Sequence, residues 1–281
     1  MSRRWQQVRH QLCRNRPAQF SLFVLFIFVV AALCAGLSPY DPDRMSLGAR
    51  TLPPDAAHWF GTDEYGRDYF TRALYGGQIS LIVGFLAMLF STLIGTVVGT
   101  VSGYFGGWLD NLMMRAVDIL MAIPAFFLLL VVNAYLKPGV DNIILIISLL
   151  TWMNMSRLVR AETLSVKERE YVLYARASGE HPLRIIARHI IPGVLPTIIV
   201  AATLNIASAI LMESTLSFLG LGVQAPAASW GSMLNNAQSY IGEASWLAMF
   251  PGILILLTVF SFNVLGDVFR TAFEPGANRD E

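Results

Sequence analysis

Apolar residues gather into long uninterrupted blocks, with the polar residues standing between them. Six stretches, 20–37, 79–101, 119–136, 142–156, 193–212 and 246–265, contain no Asp, Glu, Lys, Arg or His. Each is long enough to cross a hydrocarbon core about 30 Å thick, or in the case of the short fourth stretch nearly to cross it. A segment in lipid must satisfy its own backbone N–H and C=O groups, so each stretch is read as a helix. The pattern therefore predicts an all-α integral membrane protein with six transmembrane helices. Gly95 and Gly99 give the second span two small residues four positions apart, a spacing that permits close helix packing.

A different period governs 157–191. After Gly179, residues Leu183, Ile186, Ala187 and Ile190 follow the spacing of an amphipathic helix, and His181, Arg184 and Arg188 share another of its faces. Pro182 suits the first turn of that helix. Pro192 is expected to end the pattern where the next span begins. Two short helices are thus predicted to meet at a Ser178-Gly179 turn. On composition alone, a charged loop lying on anionic lipid is an equal reading.

Composition agrees with the blocks: 55% of residues are hydrophobic and 14% charged, and the mean hydropathy is +0.55. An ordinary soluble domain carries about 25% charged residues. Small residues near the end of the first block, and arginines before it, resemble a secretory signal. Leu33, however, precedes Cys34 where a lipoprotein signal needs a small residue, and five more apolar blocks follow, so this block is a membrane anchor. Cys13 and Cys34 lie in different settings and are read as reduced, unpaired thiols.

Orientation follows from the basic residues. A cytoplasmic N-terminus puts the tail, 103–118, 157–191 and the C-terminal segment inside, and these hold 15 of the 20 Lys and Arg. Both termini are therefore expected to be cytoplasmic. A net charge of +1 gives no case for nucleic acid.

Absences narrow the function. The two lysines, in Leu-Lys137-Pro and Val-Lys167-Glu, do not follow glycine as a phosphate-loop lysine must. The six stretches carry no ionisable relay of the kind that proton-coupled carriers use. Asn205 and Asn263 are the main polar side chains at depth, and interhelical hydrogen bonding is the expected role. Neither a nucleophile–base pair nor a metal-ligand spacing among the four histidines stands out, so an enzyme is a poor reading. Energy coupling is expected from another polypeptide, unless the protein is a passive channel or a structural membrane subunit.

The spacing from Gly179 to Ile191-Pro192 resembles the EAA loop of ABC importer permeases: Glu-Ala-Ala, three residues, Gly, nine residues, Ile-x-Leu-Pro. Ala175, Gly179 and Pro192 are kept, whereas Leu173, Tyr174, His189 and Ile191 depart from it. Three more segments resemble the C-type subunit of the oligopeptide, dipeptide and nickel permease family. They are Gly61-Thr-Asp-Glu-Tyr-Gly-Arg-Asp68, the run Leu216–Gln224 with Ser229-Trp-Gly-Ser-Met-Leu234, and Phe262-Asn-Val-Leu-Gly-Asp267.

The resemblance implies a type I ABC importer permease fold. Its parts are a tail and first helix (1–37), an external segment (38–78), and a five-helix core (79–270) with a coupling loop at 157–191 and an external loop at 213–245. A cytoplasmic tail (271–281) follows. It implies Tyr174, Ala175, Arg176, Ala177, Gly179, Ile191 and Pro192 as the ATPase-coupling residues. It also implies Gly61, Thr62, Asp63, Gly66, Arg67, Asp68, Gly220, Gly222, Gln224 and Trp230 as external docking or gate residues.

The residues of 61–68 read by themselves leave two roles open. Gly61, Asp63, Gly66 and Asp68 form turns, while four charges in eight positions suit a polar docking surface. The partners implied are a homologous B-type permease, two ABC ATPases carrying ATP and Mg, an extracytoplasmic solute-binding protein and membrane lipid. No cofactor is expected on this chain. Peptide is the implied substrate, with nickel or metal–opine chelates as the alternative.

Overall fold

Capping side chains set the helix boundaries that apolar blocks leave undefined. The computed structural model describes residues 2–273 apart from 125–126, 129–130, 133–134 and 136–138. After an amphipathic α1 (Ser2–Arg14), the Asn15 side chain accepts from Ala18 N–H and opens α2 (Arg16–Leu33). Asp68 accepts from Thr71 N–H and opens α3 (Tyr69–Phe105). There follow α4 (Gly107–Ala122), α5 (Val140–Val166), α6 (Glu170–Ala177) and α7 (Pro182–Ile185). A π turn (Ile186–Ile190) joins α7 to α8 (Ile191–Phe218), and α9 (Trp230–Ala237) and α10 (Trp246–Phe273) complete the chain.

Five of the described helices are long and apolar enough to cross a membrane: α2, α3, α5, the continuous Pro182–Phe218, and α10. The third apolar stretch, 119–136, begins inside α4, and seven of its positions lie outside the described residues. The 37 residues of α3 extend about 55 Å at 1.5 Å per residue, so its ends stand beyond a hydrocarbon core of about 30 Å.

α3 is the hub. A Cβ added at Gly95, Gly99 or Gly103 would come 2.6 Å from Met155 Cβ, 2.5 Å from the Ser156 carbonyl oxygen and 2.8 Å from Thr163 Cβ respectively. The pair foreseen at 95 and 99 is thus a continuous face against which α5 lies backbone to backbone. The matched order of these contacts makes α3 and α5 parallel, so the chain returns to its starting end between Phe105 and Val140. α8 runs antiparallel to α3, and Asn205 Nδ2 donates to Ser91 Oγ across them at 2.7 Å, the interhelical role expected for it. α10 closes against α8 and α2, and α1 packs against it as well. Outward-facing Phe23, Phe26, Val97 and Leu256 are exposed, as lipid-facing side chains should be.

Two boundaries differ from the sequence reading. The fifth span does not stop at residue 212 but runs to Phe218, with Glu213 fully buried inside it. Hydroxyl groups surround that carboxyl, so a charge does not end the helix there. Nor does 157–191 begin as a loop, since α5 continues to Val166.

Gly99→Val should press against the Ser156 carbonyl and cost about 1–3 kcal/mol, as overpacking does. Thermal melting of the detergent-solubilised protein should show a lowered Tm. Gly36→Val, with nothing within 4 Å of its Cβ, should melt like the parent.

Candidate functional site

Two polar regions bracket the bundle. At the end reached by α5 and α6, the foot, Val172 and Ala175 turn inward against Tyr104, Val159, Val166, Ile185 and Ile190. Tyr171, Leu173, Tyr174 and Leu183 are exposed. α6 ends as a Schellman motif: Glu180 N–H donates to Ala175 O and Gly179 N–H to Arg176 O, each at 3.1 Å. Gly179 takes φ +77°, and a Cβ there would meet nothing within 4 Å. Backbone handedness rather than space is what selects glycine. Arg176 lays its guanidinium 5.3 Å from the centre of the Tyr104 ring. Ala177 is exposed beside it, and His189 Nε2 lies 3.1 Å from Glu180 Oε2.

The two short helices meeting at Ser178-Gly179 are present, but the second has a different phase. Ile185, Ile186 and Ile190 are buried, whereas Leu183 is exposed, and Ala187 also faces out. The π turn adds a residue to the turn, Ile191 N–H reaching back to Ile186 O, and so rotates the buried face. Pro192 therefore does not end the helix. The widened turn directly precedes it and relieves the clash its ring would make with the carbonyl four residues earlier. Ile191 is partly buried against this core and Pro192 is exposed.

At the opposite end, the cap, residues 38–68 fold over the starts of α3 and α10. Gly61 and Gly66 hold φ of +74° and +73°. Thr62 Oγ1 accepts from Leu52 N–H at 2.9 Å and donates to Ala49 O. Asp63, 1% exposed, accepts from Arg67 Nε at 2.6 Å and lies 3.5 Å from Arg72 Nε. Asp68 Oδ2 accepts from Thr71, while its Oδ1 is 2.8 Å from His58 Nδ1. Burial, the largest influence, raises the pKa of the neighbouring Glu64 carboxyl. The expected docking surface of exposed charge is therefore not what 61–68 forms. All four of its charged side chains are buried, and Asp63, Glu64 and Arg67 are paired within the cap.

Beside the cap, the segment after α8 folds back on the bundle. Gly220 adopts φ +77°, and Gly222 sits so close to Ser217 that a Cβ would lie 2.1 Å from its Oγ. Gln224 is exposed and donates to Gly220 O at 3.0 Å. Trp230, expected as an external docking or gate residue, is 2% exposed: its indole N–H donates to Ala73 O at 2.9 Å, and its ring fills the space over Gly77. Sequence reasoning missed Glu213, which was assigned to the loop. Its four serine neighbours at 80, 214, 217 and 229 are scattered over 150 positions, too far apart to signal a site.

A family described as binding-protein-dependent transport system inner membrane component matches residues 95–279. The N-terminal transmembrane domain of oligopeptide transport permease C matches residues 3–54. The chain belongs to the binding-protein-dependent permease family. It is 43% identical to the dipeptide transport system permease protein DppC of Bacillus subtilis, over 98% of this chain and 86% of the relative. With OppC, the oligopeptide permease protein of the same organism, identity is 37% over 96% and 89%. With the glutathione permease protein GsiD of Shigella flexneri it is 41% over 96% and 89%. Among solved structures, the inward-facing methionine ABC transporter MetNI shares the fold, a type I importer permease. Its TM-score is 0.60 at 20% identity, over 72% of this chain and 96% of the other. The permease is thus a multi-pass inner-membrane transport subunit of the ABC importer class.

The foot of the permease is tied to its hub by charge. Arg160 binds Asp110 on α4 with Nε–Oδ1 at 2.5 Å and Nη2–Oδ2 at 2.6 Å, Ser102 Oγ donates to the same carboxylate, and Lys167 Nζ donates to Gly103 O at 3.0 Å. The Arg160 hydrogen bond, above all, holds the Asp110 carboxyl below its ordinary 3.8. A carboxylate with a depressed folded pKa contributes stability above its unfolded value and loses it as pH falls through the folded one. The Tm advantage of the permease over Asp110→Asn should therefore be complete at neutral pH and vanish on titration below about pH 4.

In the cap, Asp63→Ala would leave Arg67 and Arg72 buried without that partner, a loss of about 3–5 kcal/mol. Immunoblots of membranes should show the permease depleted. Normal abundance together with a selective transport defect would return the docking role to this segment.

Proposed function

We propose that the chain is one of two permease subunits of an ATP-driven importer of peptides, pairing with a homologous B-type subunit so that the path forms between them. Two ABC ATPases carrying ATP and Mg bind the foot, and an extracytoplasmic solute-binding protein delivers cargo at the cap. Near full-length similarity to dipeptide, oligopeptide and glutathione permease proteins supports the cargo class. The parallel run of α3 and α5 supports a sixth crossing between Phe105 and Val140. With that crossing both termini are cytoplasmic, in keeping with the 15 of 20 basic residues on that side.

The observation that carries the ATPase-facing role is the turn at Gly179, with Tyr171, Leu173, Tyr174 and Leu183 left exposed around it on short helices that rest on α5 and α8. An ATPase groove that takes up this apolar knuckle would pull on both long helices as it closes. Rigid-body movement of the spans between inward- and outward-facing states would follow.

The test uses proteoliposomes holding the assembled complex, a labelled dipeptide outside and ATP inside with no imposed gradient. ATP-dependent accumulation is expected in the parent and lost in Gly179→Val. A β-branched residue at φ +77° costs on the order of 1–3 kcal/mol of strain. That is enough to deform the knuckle while leaving the spans inserted and membrane abundance near normal. Accumulation driven by a pH gradient without ATP would overturn the reading, as would parental uptake in Gly179→Val.

A further inference from the structure

Glu213 is fully buried in α8, and among the described residues it makes no ion pair. An acid in such a place costs far more than a leucine of similar size unless hydrogen bonds satisfy it. Hydroxyls do so: Ser217 Oγ donates to Oε1 at 2.7 Å, Ser80 Oγ to Oε2 at 3.0 Å and Ser214 Oγ to Oε2 at 3.5 Å, and the Ser229 side chain also bonds the carboxylate.

Two of these serines have a second partner. Ser217 Oγ accepts Val223 N–H at 3.1 Å, and Ser80 Oγ accepts Trp230 N–H at 3.3 Å. Each hydroxyl thus accepts an N–H from the segment that follows α8 and donates its own O–H to Glu213. Val223 and Trp230 are seven positions apart in that segment, so one carboxylate holds it at two points, one through α8 itself and the other through α3.

We propose that Glu213 is the positioning residue that latches residues 219–230 onto α3 and α8, keeping this side of the cap closed until transport opens it. The transport half of this statement rests on the function proposed above. The latch demands a carboxylate and not merely a side chain of that size. Both relays run toward Glu213, so both of its oxygens must accept. A glutamine offers one accepting oxygen and one donating nitrogen, which reverses one relay. The far side of the segment has room to give, because a cavity of about 160 Å³ separates Pro226, Ala227 and Ala228 from Pro42, Asp43 and Arg72.

Labelling of a reporter cysteine tests the latch. Cys13 and Cys34, both free and exposed, are first replaced by serine in the full complex. Ala228→Cys then reports on the segment, since that position is 5% exposed, and the exposed Ala56→Cys serves as control. A membrane-impermeant maleimide should label position 228 about ten-fold faster in Glu213→Gln, the scale of one lost hydrogen bond to a charged group. The control should not change.

Ser80→Ala combined with Ser217→Ala should do the same, and adding Glu213→Gln to the pair should add nothing, because all three act through one network. Labelling within two-fold of parent in a normally abundant Glu213→Gln, or additive effects, would overturn the latch. If that variant fails to accumulate, the serine pair alone decides, and unchanged labelling there has the same force. Absence of ATP-driven uptake in the parent complex would count against the transport reading but not against the latch. Intact uptake with unchanged labelling would remove the latch alone.

Discussion

Lipid tails are as apolar as leucine, so helices in a bilayer gain little by hiding apolar surface from each other. They gain by approaching until backbones touch and polar groups meet. α3 supplies both. Its glycines at 95, 99 and 103 admit α5, Ser91 meets Asn205 of α8, and the glycine at 77 receives the indole of Trp230. The other long helices are arranged around a rod with few large side chains on its inner faces.

The rod is longer than the membrane is thick, and its two ends carry the polar clusters. Asp63, Arg67, Arg72 and Asp68 gather at its start, while Asp110, Arg160 and Lys167 gather at its finish. Charge is thus placed beyond the hydrocarbon core: the first cluster joins α3 to the irregular cap, and the second joins it to α4 and to the end of α5. Glu213 differs in kind. It lies within a long apolar helix and is satisfied by neutral hydroxyls, which bind a carboxylate without importing a countercharge.

The apolar blocks were legible in the sequence because their pattern is local. Five of the spans, the small-residue face at 95 and 99, the interhelical Asn205 and the turn at Gly179 follow from periodicity and residue type over a few positions. What escaped depended on distant pairings. A charge at 213 looked like the end of a span because the hydroxyls that satisfy it come partly from residues 80 and 229. The charges of 61–68 looked like surface because the cap that buries them is folded from 38–60. The phase of the helix after Gly179 was misread for a subtler reason: a π turn breaks the 3.6-residue period without any marker except the proline that follows it.

The open surroundings of Gly179 have a stereochemical consequence. With nothing within 4 Å of its would-be Cβ, the residue's surroundings impose no size limit, and only its φ of +77° excludes ordinary side chains. A mirror-image D-alanine, for which that angle is relaxed, would sit there without strain. The requirement at this joint is one of chirality, and glycine meets it as the single achiral member of the genetic code.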